Sequence, residues 1–458
     1  MKSNQYTSFV LVLLISLFSH SLAEKKGQQA EWRAGVAKIK ITPEQPIWMA
    51  GYAARNKPSE GVALDLYAKA LALQDDRGRR MVLLTSDLLG FPAELTEAIA
   101  KKIRTQYGLK RNEVLFSFSH THGGPVIRNS LKLMYATNEE QNALINAYAE
   151  NLQPLYVQLV GSALAGLQPV HLSYGQGQAT FGVNRRLLKE NGYKIDVNPD
   201  GPVDHTVPVL KVTRSNGEPL AVLFSYACHN TTLQGNNYLI HGDYAGVAQQ
   251  ELEKEYDGVI AFFMSGFAGD TNPHPRGTLE LANSHGRSLA AAVKTVLQQP
   301  MRPLHGRLKS RLDYAKLPFS PPPSRDELQA KRQDPDKYIS ANAEKLLARL
   351  DEKGKLDKTY PYPIQIVRLG DSLTLIALAG EVLVDYALRL RKESAHPDQL
   401  WMVGYSNDVF AYIPSRRVLE EGGYEAKDSM IYYGLWPWST EIEQVLMKKI
   451  DRGIKKVQ

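Results

Sequence analysis

The chain has 458 residues, with 55 Lys and Arg against 48 Asp and Glu, a formal net charge of +7. Its 43% apolar and 22% charged residues are ordinary globular composition, which excludes a disordered or fibrous protein. One cysteine, Cys228, excludes a disulfide framework and any multi-cysteine metal centre, and the small, dispersed basic excess is no nucleic-acid footprint.

Residues 1–23 read as a secretory signal. Lys2 gives a positive start, Phe9 to Phe18 is an apolar run of 10, and Ser21-Leu22-Ala23 supplies the small-x-small cleavage pattern. The run is too short to span a bilayer, charged Glu24, Lys25 and Lys26 follow it, and no other run approaches the ~20 apolar residues that a spanning helix needs. The expected product is a secreted or periplasmic protein covering 24–458, without a transmembrane span.

Along that product, Trp32 to Thr42 alternates apolar and polar residues as a half-buried strand does. Leu66 to Leu73 and Met81 to Thr85 read as strands joined by an Asp75-Asp76-Arg77-Gly78 turn. Leu95 to Tyr107 has helical spacing and stops before Gly108. Val114 to His120 is a strand, and Asn138 to Leu167 a long helix, kinked or broken at Pro154. Val207 to Thr213 and Leu220 to Ala227 are strand-like, Tyr244 to Glu255 helical, Val259 to Met264 a buried strand, and Leu279 to Leu297 a helix. Pro318 to Pro323 interrupts this order, and 324–358 reads as a charged, solvent-facing helical excursion. Ile364 to Ala379 returns to strand character and Val382 to Arg391 to helix. The alternation places the chain in the α/β, or mixed α+β, class as a single large domain.

Chemistry-bearing residues collect where strands end. His120-Thr121-His122 follows a strand; residues i and i+2 of extended chain point the same way, so both imidazoles can face one site, and neutral imidazole is a preferred zinc ligand. His229 follows another strand beside Cys228, itself read as a buried small hydrophobe. His241-Gly242-Asp243 precedes a helix that Asp243 can cap, with His241 as an outer partner of a metal ligand. A glycine-bearing loop gathers Asp270, Thr271, Asn272 and His274. Glu381 ends an apolar strand, as a metal ligand or base would. Asn407-Asp408 leads to Tyr412, with Tyr424-Glu425 further on. Taken singly, each also reads as ordinary packing, capping or turn chemistry. The chain has no P-loop, G-x-G-x-x-G, G-x-S-x-G or H-E-x-x-H motif.

The order of these elements resembles the neutral/alkaline non-lysosomal ceramidase family, zinc-dependent amidases that split the N-acyl bond of ceramide. The matching residues run from Gly35-Val36-Ala37, Ile41-Thr42-Pro43, Met49-Ala50-Gly51-Tyr52 and Ser86-Asp87-Leu88 to His120-Thr121-His122-Gly123-Gly124-Pro125. They continue through Asn184-Arg185, His229, Gly242-Asp243, Gly269-Asp270 and Gly380-Glu381 to Ser406-Asn407-Asp408 and Tyr412. The resemblance implies zinc held by His120, His229, Glu381 and Tyr412, His122 beside the metal for proton transfer, and Arg185 near the substrate. The family's loop reads Gly-Asp-x-Ser-Pro-Asn, and its serine is a site residue; here Asn272 stands in that place, able to donate a hydrogen bond to an oxyanion but no nucleophile. Zinc-activated water is then the expected nucleophile, with His122 or Asp270 as base. Ceramidases also carry a β-sandwich domain, and the 46 residues after Tyr412 are too few for one of ~100 residues.

The expectation is an exported zinc hydrolase acting on an N-acyl (amide) bond of a small-molecule substrate. Two alternatives stand beside it. One is a deacylase of a carbohydrate or lipid ester, with Tyr405, Trp436 and Trp438 stacking on a sugar. The other is a zinc-bearing binding protein without turnover.

Overall fold

The computed structural model describes residues 32–458; the signal read over 1–23 lies outside them. Strand periodicity of two builds two sheets, each with apolar side chains on both faces. In the larger sheet the order from one edge is Ile260–Ser265, Pro219–Tyr226, Thr206–Arg214, Gln168–Gln178, Trp32–Lys40, Tyr67–Asp75, Arg80–Ser86 and Val114–Phe118, with Arg302–Pro303 added to Gln168–Gln178. The outermost pair at each edge is parallel, Pro219–Tyr226 with Ile260–Ser265 and Arg80–Ser86 with Val114–Phe118, and the pairs between are antiparallel. The smaller sheet runs Leu308–Pro318, Thr359–Leu369, Leu373–Leu378, Leu400–Val403.

Alternation decides what each face meets. Leu71, Leu73, Met81, Leu83, Leu210, Leu223 and Met264 of the larger sheet share one core with Val367, Leu369, Leu373, Leu375 and Trp401 of the smaller. Their neighbours point the other way: Ala68, Ala70, Val82 and Phe116 join residues of helices Ala93–Tyr107 and Glu139–Ala165. Val209, Phe224 and Phe263 join those of Asp243–Glu255 and Leu279–Leu297. The far face of the smaller sheet, with Ile364, Ile366, Ile376 and Leu378, is covered by Lys337–Lys353 and Ile442–Val457. The result is four layers, helices on either side of two facing sheets, in the expected mixed α/β class.

Several expectations need correction. Helix Glu139–Ala165 runs through Pro154 without interruption; Pro154 is on its exposed side, where the carbonyl robbed of its N–H partner meets water. Residues 324–358 are helical and mostly exposed, but they also pack inward: Leu328, Ala343, Leu346 and Leu347 are buried in the outer core, because the helices Arg325–Lys331 and Lys337–Lys353 each carry an apolar stripe between charged residues. The strand character of 364–379 is as expected, and resolves into two strands of a hairpin, Thr359–Leu369 and Leu373–Leu378, turned at left-handed Gly370 (φ 62°). Strands Gln168–Gln178, Gly182–Lys189, Gly192–Asn198 and Leu308–Pro318 gave too little apolar signal to be read, and the strand Gly192–Asn198 is largely exposed and polar; helix Ile442–Val457 carries a clear apolar stripe, Ile442, Leu446, Ile450 and Val457, that the sequence reading missed. Among the described residues no helix is long and apolar enough to cross a membrane.

Candidate metal centre

The site forms where strands of both sheets end. His120 follows Val114–Phe118, His229 follows Pro219–Tyr226, and Glu381 and Tyr412 are register partners in a two-residue parallel pair. His120 and His122 do meet, with ring centroids 5.1 Å apart, though not by strand alternation. His120 is left-handed (φ 60°), so the chain turns there, a conformation non-glycine residues adopt only under constraint. The constraint is visible: His120 N–H donates to Leu88 O at 3.0 Å, and Thr121 Oγ1 donates to His241 O at 2.9 Å. His241 therefore supports the turn through its backbone and not through its ring. Gly51 makes room for His122; a Cβ there would lie 2.2 Å from His122 Nδ1.

His120 Nδ1 lies 2.6 Å from Leu89 O, and His229 Nδ1 lies 2.6 Å from Ala268 O. A carbonyl only accepts, so both Nδ1 atoms carry the proton and Nε2 is turned inward, the usual orienting device for a metal-ligating histidine. Both Nε2 atoms converge on one oxygen, Glu381 Oε2, at 3.2 and 2.9 Å. Burial, aided by Arg185, lowers His229 to about 4 against the pull of Glu381. Burial alone would raise Glu381, but the two histidines hold it well below the usual carboxylate range. Two imidazole nitrogens and a carboxylate oxygen thus crowd one buried point at hydrogen-bond distance, an arrangement of donor atoms that a shared cation would suit.

His122 adds a second sign. Neither ring nitrogen has a protein partner, although both are buried. One potential ligand atom from each of His120, His122 and His229 lies within 4.8 Å of the others. Burial, with His120 and His229 alongside, holds His122 well below 6.5, so its imidazole is neutral. The residues present fit a metal ion by their donor chemistry.

Around this centre, Arg185 Nη2 donates to Tyr412 Oη at 3.0 Å and Nη1 to Asn272 Oδ1 at 3.3 Å. Burial keeps the Tyr412 phenol well above 10, with Arg185 working against it. Tyr433, which nothing in the sequence singled out, donates its hydroxyl to the other Glu381 oxygen at 2.7 Å. Asp270 is fully buried and raised to about 7 by that burial, but both its oxygens are taken, by Val384 N–H at 2.9 Å and Asn184 Nδ2 at 3.2 Å. It anchors the start of helix Val384–Glu393 behind Glu381 and is not available as a base. Asp243 opens its helix in a left-handed conformation; one carboxylate oxygen accepts from Tyr244 N–H of the first turn at 2.7 Å and the other from Leu233 N–H at 2.9 Å. Cys228 is buried, which pushes its thiol well up, as befits an inert packing residue. The aromatic rings offered for a sugar are also committed. Trp438 and Trp436 stack on Phe319 at 4.4 and 4.5 Å, and Tyr405 lies under His120 at 4.3 Å, fully buried.

A cavity of about 110 Å³ opens beside the centre, lined by Arg185, Asn272, His274, Ile195 and Val197 among others. A larger hollow of about 1090 Å³, between helices Ala93–Tyr107 and Glu139–Ala165, touches none of the site residues.

The family model for neutral/alkaline non-lysosomal ceramidase, N-terminal, matches residues 32–318. The chain belongs to this family. Neutral ceramidase A of Dictyostelium discoideum is 26% identical over 293 residues, 59% of this chain but 39% of that protein. The neutral ceramidase of Mycobacterium tuberculosis (strain ATCC 25618 / H37Rv) is 22% identical, over 85% of this chain and 72% of its own length. The chain thus spans about two fifths of the Dictyostelium relative. The crystal structure of neutral ceramidase from Pseudomonas aeruginosa superposes with a TM-score of 0.71 at 21% identity, covering 93% of this chain and 75% of that one. That likeness carries the fold past residue 318, through Glu381 and Tyr412, which lie beyond the family-model match.

Proposed function

We propose that the protein is an exported zinc-dependent hydrolase that cleaves the N-acyl (amide) bond of a lipid-like small molecule, with water as the nucleophile. The observation that carries this is the convergence of His120 and His229 Nε2 on Glu381 Oε2 in a buried site, with His122 unpartnered alongside. His120, His229, Glu381 and Tyr412 would hold the zinc. Bound there, zinc supplies a Lewis acid that polarises a carbonyl and lowers the pKa of water to about 7.

The chain's own groups do the rest. His122, neutral and with both nitrogens free of protein partners, takes the proton of the attacking water and delivers it to the leaving amine. Asn272 donates to the carbonyl oxygen as negative charge develops on it, and Arg185, hydrogen-bonded to Asn272 Oδ1, positions that amide. Asp270 keeps their loop in register with Glu381. Family membership supports amide hydrolysis, and Asn272 in the place of the family's serine supports water as the attacking group. Export rests on the reading of residues 1–23.

The first test is elemental mass spectrometry of wild type and Glu381→Ala. About one zinc per wild-type chain and little in the variant is expected, with activity falling by roughly three orders of magnitude. Full zinc and full activity in Glu381→Ala would sink the assignment. Amide and ester probes with the same acyl chain then separate an amidase from an esterase. Zinc binding without turnover of either would favour the binding-protein reading, which the absence of the serine makes the main competitor.

A further inference from the structure

Arg185 enters the site with all three guanidinium nitrogens committed. Nη2 and Nη1 reach Tyr412 and Asn272, and Nε donates to Glu425 Oε1 at 2.8 Å. A guanidinium can only donate, so the Asn272 atom turned toward it is the carbonyl oxygen. Thr231 Oγ1 donates to that same oxygen at 3.2 Å. Because a hydroxyl could serve either end of the amide, the donor-only guanidinium is what fixes its flip. Its Nδ2, with two N–H donors, has no protein partner among the described residues, and Asn272 lines the cavity beside the metal centre.

The pose of Arg185 is set from behind. The other Glu425 oxygen accepts from Arg186 Nη1 at 2.7 Å, and Arg186 Nη2 is held by Glu421 at 3.1 Å and Gly422 O at 2.9 Å. Glu425 is 2% exposed. It sits in the π-helical turn Tyr424–Asp428, entered through left-handed Gly422 and Gly423 (φ 75° and 86°). One buried carboxylate therefore lies between two neighbouring guanidiniums that would otherwise repel each other, and its arm length decides how far Arg185 extends.

We infer that Glu425 is a positioning residue: by anchoring Arg185 it presents the donor side of Asn272 to the substrate carbonyl. This rests on the hydrolase reading, so the test must separate the two. Glu425→Gln would leave two buried guanidiniums short of a counter-charge and threatens folding. The decisive variant is Glu425→Asp, which keeps the charge and shortens the arm by one methylene. With a short-chain N-butyryl anilide as probe, zinc-loaded Glu425→Asp should keep wild-type zinc content and lose about 10- to 100-fold in kcat with little change in KM, as loss of a donor acting in the transition state does. In an Arg185→Lys background the same change should cost less than about twofold, because the group it positions is gone. Equal losses in both backgrounds, or zinc lost in proportion to activity, would overturn the inference. If wild type turns over no acyl probe, the hydrolase reading fails by itself. The same four-variant cycle is then read by calorimetric titration with butyrate. Weakening by Glu425→Asp only where Arg185 is present supports the positioning role, and equal weakening refutes it.

Discussion

Two buried polar clusters share the contact between Arg185 and Tyr412, and they meet the cost of burial in opposite ways. In one, the guanidiniums of Arg185 and Arg186 face the carboxylates of Glu425 and Glu421, so charge is balanced within the protein. In the other, three imidazoles and Glu381 crowd together, His122 has no partner at either nitrogen, and His229 Nε2 meets a carboxylate oxygen at 2.9 Å. The first cluster balances its charges and leaves only Arg186 Nε without a hydrogen-bond partner among the described residues. The second gathers the donor atoms of a metal centre. Unpaired buried polar groups cost about 1–3 kcal/mol each, so a fold retains such a cluster where function repays it.

Three substitutions test how sharp that division is. The largest effect is expected at His122→Asn. If His122 belongs to the chemistry and not to the ligand set, kcat falls by about 10²- to 10⁴-fold while zinc content stays near one per chain. Parallel loss of zinc would move His122 into the ligand set and break the comparison as drawn. Tyr433→Phe comes next. It removes the one hydrogen bond to Glu381 Oε1 from the helix Met430–Tyr433, and zinc affinity should fall by about 10- to 100-fold in a competition titration with a chelator. Unchanged affinity would mean that Glu381 is oriented by its backbone alone.

The smallest effect concerns Asp408, a buried carboxylate with neutral partners only, Tyr360 Oη at 2.6 Å and Ala93 N–H at 3.0 Å. Burial raises it to about 6, those two donors notwithstanding, from about 3.9 in the unfolded chain. Its raised value favours the protonated fold, so its contribution is full below about pH 4 and is lost as pH rises through about 6. Asp408→Asn should flatten the slope of Tm against pH between 4 and 7, a change of a few degrees. A slope equal to that of wild type would assign the titration to another group.

The sequence made part of this legible. His120, His122, His229 and Glu381 were readable because each comes just after an apolar strand, whereas Tyr412 came only from the family order that tied them together. The physical reason offered for His120 and His122 was wrong even so: a left-handed residue, invisible to periodicity, brings the rings together. Tyr433 and Glu425 lay in a tyrosine-rich stretch that ordinarily means packing. Their roles arise from contacts 52 and 240 residues away, which no local pattern encodes. Gly422-Gly423 was the usable signal, since two adjacent glycines outside a strand mark a backbone that sequence-typical turns do not require. The outer helices at 325–353 were misjudged for a different reason. Their apolar stripe is narrow, and composition averages it away.

The register pairing of Glu381 with Tyr412, and the distance along the chain from His229 to Glu381, 152 residues, bear on how the protein is made. The proposed ligands are split along the chain, with His120 and His229 in its first half and Glu381 and Tyr412 in its second. Closing loops of that length comes late in folding, after local hairpins and helices have formed. The proposed zinc site would therefore be completed only after the two sheets dock, and metal occupancy would then report on molecules whose last hundred residues are in place.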